Sequence, residues 1–187
     1  MKLTNLKVFD PEKIANIETN MWRAYYKHNF FKLFRLVLQL IREQFHLNYL
    51  NAFKVAYYTA FAATLFRMSR GRENENLIFK KLVKAFKIIS LHATENFDYK
   101  KAALLEVEWW MIDRYPERYK TSRREGLKNA LASIYGANTE ELTEYAEYRA
   151  QAMELNDEAE KQNEETDWEA VNSLLLNSYQ SLHKVIN

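Results

Sequence analysis

Apolar residues recur every three or four positions along most of this chain, a spacing that predicts a protein built from long α-helices. Asp10-Pro11 suits the N-cap and the first position of a helix. From there one apolar stripe continues for about 35 residues, to His46-Leu47-Asn48, at the helical period. The pattern therefore predicts a long first helix, with room for a kink.

Start and stop signals divide the rest of the chain into shorter helices. Asp98 and Ser122 are suited to N-caps, Gly136 to a helix end, and Thr166 with Glu169 to a capping box. The predicted helices run from about 51 to 70, 74 to 96, 99 to 114, 123 to 135, 139 to 163 and 167 to the C-terminus.

The composition agrees with helices joined by short connections. The chain of 187 residues has three Gly and two Pro, too few for a fold rich in strands and turns. We predict an all-α fold, a single-domain bundle of about six or seven helices over residues 1–187. Residues 1–9 are expected to be irregular, and residues 155–167 to form a polar helix end and loop.

Charge and cysteine content indicate which cellular compartment and which kind of partner to expect. There is no Cys, which fits a reducing compartment. The longest nearly apolar run, residues 55–66, is far shorter than the roughly 20 residues of a membrane span, and no secretory signal is visible. Residues 1–101 carry a net charge of +10 and residues 102–187 one of −8. We expect a cytoplasmic protein whose halves attract each other, or one with a basic face for an acidic partner.

The most informative segment is the helix predicted from 99 to 114. At 100° per residue, Glu106 and Asp113 share about a third of a turn with Trp109 and Trp110. A carboxylate between two indoles is costly to bury unless a cation or a donor pairs with it. This arc therefore predicts either a buried polar cluster or a ligand site.

Other inward positions supply possible partners for these acids. Arg149 lies on the apolar stripe of the sixth predicted helix and Glu18 on that of the first. One hypothesis is a buried salt-bridge network; the other is a pocket in which Arg149 binds a small anionic ligand. The candidate ligand-binding residues are Glu18, Trp22, Tyr25, Asn29, Glu106, Trp109, Trp110, Asp113 and Arg149.

An enzyme is the alternative, of ferritin-like or other carboxylate-metal type, using Glu18, Glu106 and Asp113. A di-iron site of that type needs Glu-x-x-His on two helices, and the one such motif here, Glu43 with His46, lies about 40 Å along the predicted first helix from Glu18. We predict no metal site and no cofactor. Nucleic-acid binding is not expected either, because the lysines of residues 80–87 form the wet side of an amphipathic helix and no recognition motif accompanies them.

Four segments of the chain carry a resemblance: Ala102-Ala103-x-x-Glu106-x-x-Trp109-Trp110-x-x-x-Arg114, Ala130-Leu131-Ala132-x-x-Tyr135-Gly136, Tyr148-Arg149-Ala150-x-Ala152-Met153-x-x-x-Asp157 and Ser178-Tyr179-x-x-Leu182. They resemble a family of bacterial all-helical proteins without an assigned function. The resemblance implies a helical bundle and supplies positions to examine, but no activity. The family has a His before the Arg that ends the Trp-bearing helix, where this chain has Asp113.

Together these features predict a helical-bundle protein that binds a small ligand or a protein partner through a Trp- and Tyr-lined polar core. Aromatic residues make up 14% of the chain. An aromatic stripe left uncovered on the first or last helix would serve self-association, so a homo-oligomer is a further expectation.

Overall fold

The computed structural model describes residues 3–187, and over these the chain is all-α, as predicted. It forms eight α-helices in this range rather than six or seven. The helices are α1 (Pro11–Tyr26), α2 (Phe30–Phe45), α3 (Tyr49–Met68), α4 (Glu75–His92), α5 (Tyr99–Arg114), α6 (Arg123–Tyr135), α7 (Thr143–Gln162) and α8 (Trp168–Ile186).

The prediction of one long first helix was wrong, because the chain breaks between α1 and α2. His28 takes a left-handed conformation with φ of 54°. Its amide donates to the carbonyl of Tyr25, and the amide of Asn29 donates to that of Ala24, which is the Schellman pattern of a helix end. The Asn29 side chain then accepts from the amide of Lys32 and starts α2.

Most other helix ends lie where the local signals predicted them. Asp10, Asp98 and Ser122 accept hydrogen bonds from the first-turn amides of their helices. Gly136 ends α6 with φ of 66°. At α8 the N-cap is Asp167 rather than Thr166. The polar segment 155–167 is helical up to the end of α7 and then irregular.

The helices pack in chain order, and α8 returns to pack against α1. One connected apolar core draws side chains from all eight helices. The irregular residues before α1 join it, since Leu6 and Phe9 are buried; Met1 and Lys2 lie outside the described residues. Thr4 and Ala93 form an isolated parallel bridge that fixes this N-terminal segment beside the end of α4.

Candidate functional site

A buried ion pair lies between α1 and α7. The guanidinium of Arg149 donates from Nη1 to Glu18 Oε2 at 3.0 Å and from Nη2 to Oε1 at 2.5 Å. The hydroxyl of Tyr179 on α8 also donates to Glu18 Oε2, at 2.5 Å. Glu18 is 3% exposed. Both carboxylate oxygens are therefore bonded, and the pair has the two-pronged geometry that stabilises buried charges best.

Burial and charge act against each other at this pair. Burial by itself raises the pKa of Glu18, but the charge of Arg149 and the hydrogen bonds from Arg149 and Tyr179 outweigh it, so the pKa lies below its usual value. The pKa of Arg149 is correspondingly well above its usual value, because Glu18 outweighs the desolvation of the guanidinium. Glu18 and Arg149 are both ionised in the folded protein.

Glu106 on α5 belongs to the same cluster but has the opposite electrostatics. Its Oε1 accepts a hydrogen bond of 3.0 Å from the indole of Trp110. None of the ion pairs formed among residues 3–187 includes it. Burial raises the pKa of Glu106, and the nearby charge of Glu18 adds to the increase, while the Trp hydrogen bonds and Arg149 reduce it only in part. The fold therefore disfavours the ionised form of Glu106.

We expect Glu106→Gln to keep the fold and to stabilise it at neutral pH by on the order of 1 kcal/mol. Above its raised pKa, Glu106 is ionised at a cost to the folded state, and that cost disappears as the pH falls through the folded pKa. Urea unfolding at several pH values measures this, with exposed Glu108→Gln on the same helix as the control. A variant less stable than wild type at pH 7 would contradict the prediction.

Aromatic rings enclose the cluster. The guanidinium carbon of Arg149 lies 5.8 Å from the ring centre of Trp22 and 6.0 Å from that of Tyr145. Trp110 packs against Trp109 edge to face, with ring centres 6.3 Å apart. On the other side of Trp109, a Cβ on Gly126 of α6 would lie 2.9 Å from the Trp109 Cβ, so only Gly allows this approach of α5 and α6.

Asp113 forms a separate cluster, contrary to the prediction that it shares a site with Glu106. Its carboxylate lies 2.5 Å from Arg123 Nε, and Arg123 also bonds to Asp157 at 2.9 Å. Burial raises the pKa of Asp113, partly offset by the charge of Arg123. Arg123 is the first residue of α6. From the sequence we predicted a capping box at this helix start, but not that Arg123 pairs with the Trp-bearing helix.

Two further predicted residues lie apart from the polar cluster. Tyr25 packs edge to face on Tyr26, under the guanidinium of Arg67 at 5.5 Å. Asn29 is the exposed N-cap of α2. The cluster instead contains Tyr179 and Tyr145, which we did not predict as site residues. Both lie on the inward faces of their helices, where a buried Tyr hydroxyl requires a hydrogen-bond partner. Of the predicted residues, the structure brings Glu18, Trp22 and Arg149 into one group of contacts and Glu106, Trp109 and Trp110 into another. The two groups are close enough for the charges of Arg149 and Glu18 to act on the pKa of Glu106.

Two pockets of the described residues lie elsewhere. One, of about 340 Å³, is lined by residues of the N-terminal segment and of α1, with Glu43 and His46 of the α2 end. The other, of about 270 Å³, lies at the α1–α2 corner. Within residues 3–187 no three His, Asp or Glu side chains converge as a metal site would require. Glu18 and Arg149 are paired with each other inside the protein. This pairing agrees with the hypothesis of a buried salt-bridge network.

Six of the fourteen strongly exposed large apolar side chains of residues 3–187 lie on α3. Tyr49, Leu50, Phe53, Tyr57, Phe61 and Met68, here called the α3 stripe, fall within about a third of a turn at 100° per residue. Their exposed fractions range from 37% to 74%. The opposite face of α3 is buried in the core, so this helix is apolar on both sides. Even so, no helix within residues 3–187 has the length and apolar content that crossing a bilayer takes.

Cations border the α3 stripe on both sides. The guanidinium of Arg42 on α2 lies 3.6 Å from the ring centre of Tyr49. The ammonium of Lys81 on α4 lies 4.1 Å from the ring centre of Phe61. Residues 30–92 carry eleven Lys and Arg but three Asp and Glu, a net charge of +8. The surface is thus an aromatic strip in a strongly basic setting.

Comparisons of this chain with models of protein families, with curated proteins and with solved structures give no match. The resemblance to a bacterial helical family therefore stays a prediction from the residues.

Proposed function

We propose that this protein is an interaction module that docks a protein partner on the α3 stripe. The observation that carries the proposal is that α3 has the composition of a helix buried on all sides, while one of its faces is uncovered. A helix that is apolar all round is normally enclosed. Contiguous exposed apolar surface on a water-soluble fold marks interaction sites.

The polar cluster supports this choice over a small-ligand site. Arg149 was the candidate group for an anionic ligand, but its guanidinium is bonded twice to Glu18. An anion that took the same two donors of Arg149 would have to displace Glu18, which would leave a carboxylate buried at 3% exposure. The desolvation of that carboxylate would oppose binding. We assign the cluster to holding α1, α7 and α8 together.

A photo-crosslinking amino acid placed at Tyr57 tests the proposal in cells that make the protein. We expect irradiation to give a discrete protein adduct from Tyr57, which lies in the middle of the α3 stripe at 47% exposure. The matched control is the same crosslinker at Leu104 on α5, which is 54% exposed but outside the stripe. The adducts are measured by mass spectrometry. No protein adduct from Tyr57, or the same adducts from both positions, would overturn the proposal.

A further inference from the structure

We infer that the partner segment on the α3 stripe is an acidic amphipathic helix. This inference rests on the proposed function and adds the chemistry of the partner. Its first support is that the cations beside the stripe lack acidic partners. Arg42, Lys54, Lys81 and Lys84 take part in none of the ion pairs found among residues 3–187, and the buried Nε of Arg42 has no hydrogen-bond partner.

The three acidic side chains of residues 30–92 already have partners within the protein. Glu43 pairs with Lys13 of α1 at 2.6 Å, and Glu75 pairs with Arg72 at 2.5 Å. Glu73 accepts from the amide of Arg70 at 2.6 Å. α3 itself carries no acidic residue. The cations beside the α3 stripe therefore have no acid of this region left to pair with, and a partner with negative flanks fits them.

A second copy of this chain does not fit. An isologous pair would place two α3 stripes face to face, with their cations opposed. A head-to-tail pair would offer the acidic half, residues 102–187, but that half lacks apolar surface. Of the fourteen strongly exposed large apolar side chains in residues 3–187, twelve precede residue 102, and the acidic half has Leu104 and Leu155. The occupant must combine acidic and apolar surface in a different molecule.

The form of the α3 stripe favours a helix as the occupant. From Tyr49 to Met68 it extends about 28 Å at 1.5 Å per residue, which matches an amphipathic helix of about five turns. The exposed fraction falls from 67% at Tyr49 to 37% at Phe61 and rises to 74% at Met68. The side chains near the middle of the α3 stripe are thus less exposed than those at its two ends.

Two matched peptides test the inference on the full-length protein. Both are helical and about 20 residues long, with Leu at the a and d positions, and they differ in having Glu or Lys at the flanking positions. By fluorescence anisotropy we expect the Glu peptide to bind at least about tenfold more tightly than the Lys peptide, with a preference that shrinks as salt increases. Equal binding, tighter binding of the Lys peptide, or no binding of either would overturn the inference.

Charge reversal on the protein supplies the complementary readout. Lys81→Glu combined with Lys84→Glu should reduce the preference for the Glu peptide by about tenfold or more, because both lysines lie beside rings of α3. Lys161→Glu, on the exposed surface of α7, is the control and should leave the preference unchanged. Tighter binding of the protein to phosphatidylcholine–phosphatidylserine vesicles or to oligothymidylate than to the Glu peptide would also overturn the inference.

The crosslink at Tyr57 separates failure of the inference from failure of the proposed function. An acidic helical segment in the adduct supports both. Three outcomes would overturn the acidic helix but keep the interaction module. They are a protein adduct on a basic segment, a protein adduct on a second copy of the chain, and a protein adduct combined with equal binding of the two peptides. Absence of any protein adduct overturns the interaction module itself.

Discussion

Replacing Arg149 with Met is expected to lower the free energy of unfolding by about 3–5 kcal/mol. The substitution keeps an unbranched apolar side chain at this position but removes the cation that bonds both oxygens of Glu18. Glu18, 3% exposed, would then keep neutral hydrogen-bond donors in place of a cation, among them the Tyr179 hydroxyl. Urea unfolding followed by circular dichroism measures the loss.

The pH dependence of that loss identifies its cause. The folded pKa of Glu18 is below its usual value, so Glu18 adds stability above the unfolded pKa and loses it as the pH falls through the folded pKa. In Arg149→Met the uncompensated carboxylate costs most at neutral pH. The difference from wild type should therefore shrink as the pH falls and Glu18 takes up a proton.

Two further variants make the prediction sharp. Arg124→Met breaks a half-exposed network with Glu147 and Glu154 and should cost about 1 kcal/mol or less. Glu18→Leu combined with Arg149→Met removes both buried charges and should recover much of the stability lost in Arg149→Met alone. A loss below about 1 kcal/mol for Arg149→Met would show that Glu18 is not desolvated as the geometry requires.

The sequence predicts this fold well where a single residue sets a helix end. Asp98 and Ser122 have side-chain oxygens that accept from first-turn amides, and Gly136 allows the left-handed turn after α6. These interactions span only a few residues, so the spacing alone identifies them. The break at His28 was missed because the apolar stripe keeps the same period across it, and neither Gly nor Pro marks the turn.

The polar cluster was predictable in part for a related reason. A helical wheel gives the face of each side chain, and it identified Glu18, Glu106 and Arg149 as inward groups. It does not give the distance along the axis: Asp113 shares the face of Glu106 but lies about 10 Å further along α5. At that level Arg123 of α6 is the partner within reach. Which cation pairs with which acid depends on helix packing, and helical periodicity does not encode that.

The uncovered face of α3 was also beyond the sequence pattern. Apolar residues all round a helix predict burial on all sides, and the sequence does not state which neighbours are present. The structure places α2 and α4 beside α3 and leaves Phe53, Tyr57 and Phe61 half-exposed between them. We predicted an uncovered aromatic stripe on the first or last helix, whereas the structure has such a stripe on α3.

Leu6→Ala is expected to cost about 2–5 kcal/mol, although Leu6 lies in a segment without helix. The sequence predicted residues 1–9 to be irregular, and irregular backbone does not mean unpacked backbone. Leu6 is fully buried in the core, and its amide donates to the carboxylate of Glu95 at 3.0 Å. Removing three carbons there leaves a cavity that the surrounding helices cannot close.

Leu3→Ala is the matched control, because Leu3 belongs to the same segment but is 50% exposed. Its replacement should change the free energy of unfolding by about 0.5 kcal/mol or less. Between these two positions, the amide of Thr4 donates to the carbonyl of His92 at 2.7 Å and the amide of Thr94 donates to that of Thr4 at 2.9 Å. If the N-terminal segment unfolds together with the core, Leu6→Ala shifts the midpoint of urea unfolding and Leu3→Ala does not. If the segment instead detaches before the helices unfold, both variants leave the midpoint unchanged. The packing around Leu6 would then not contribute to the global unfolding transition.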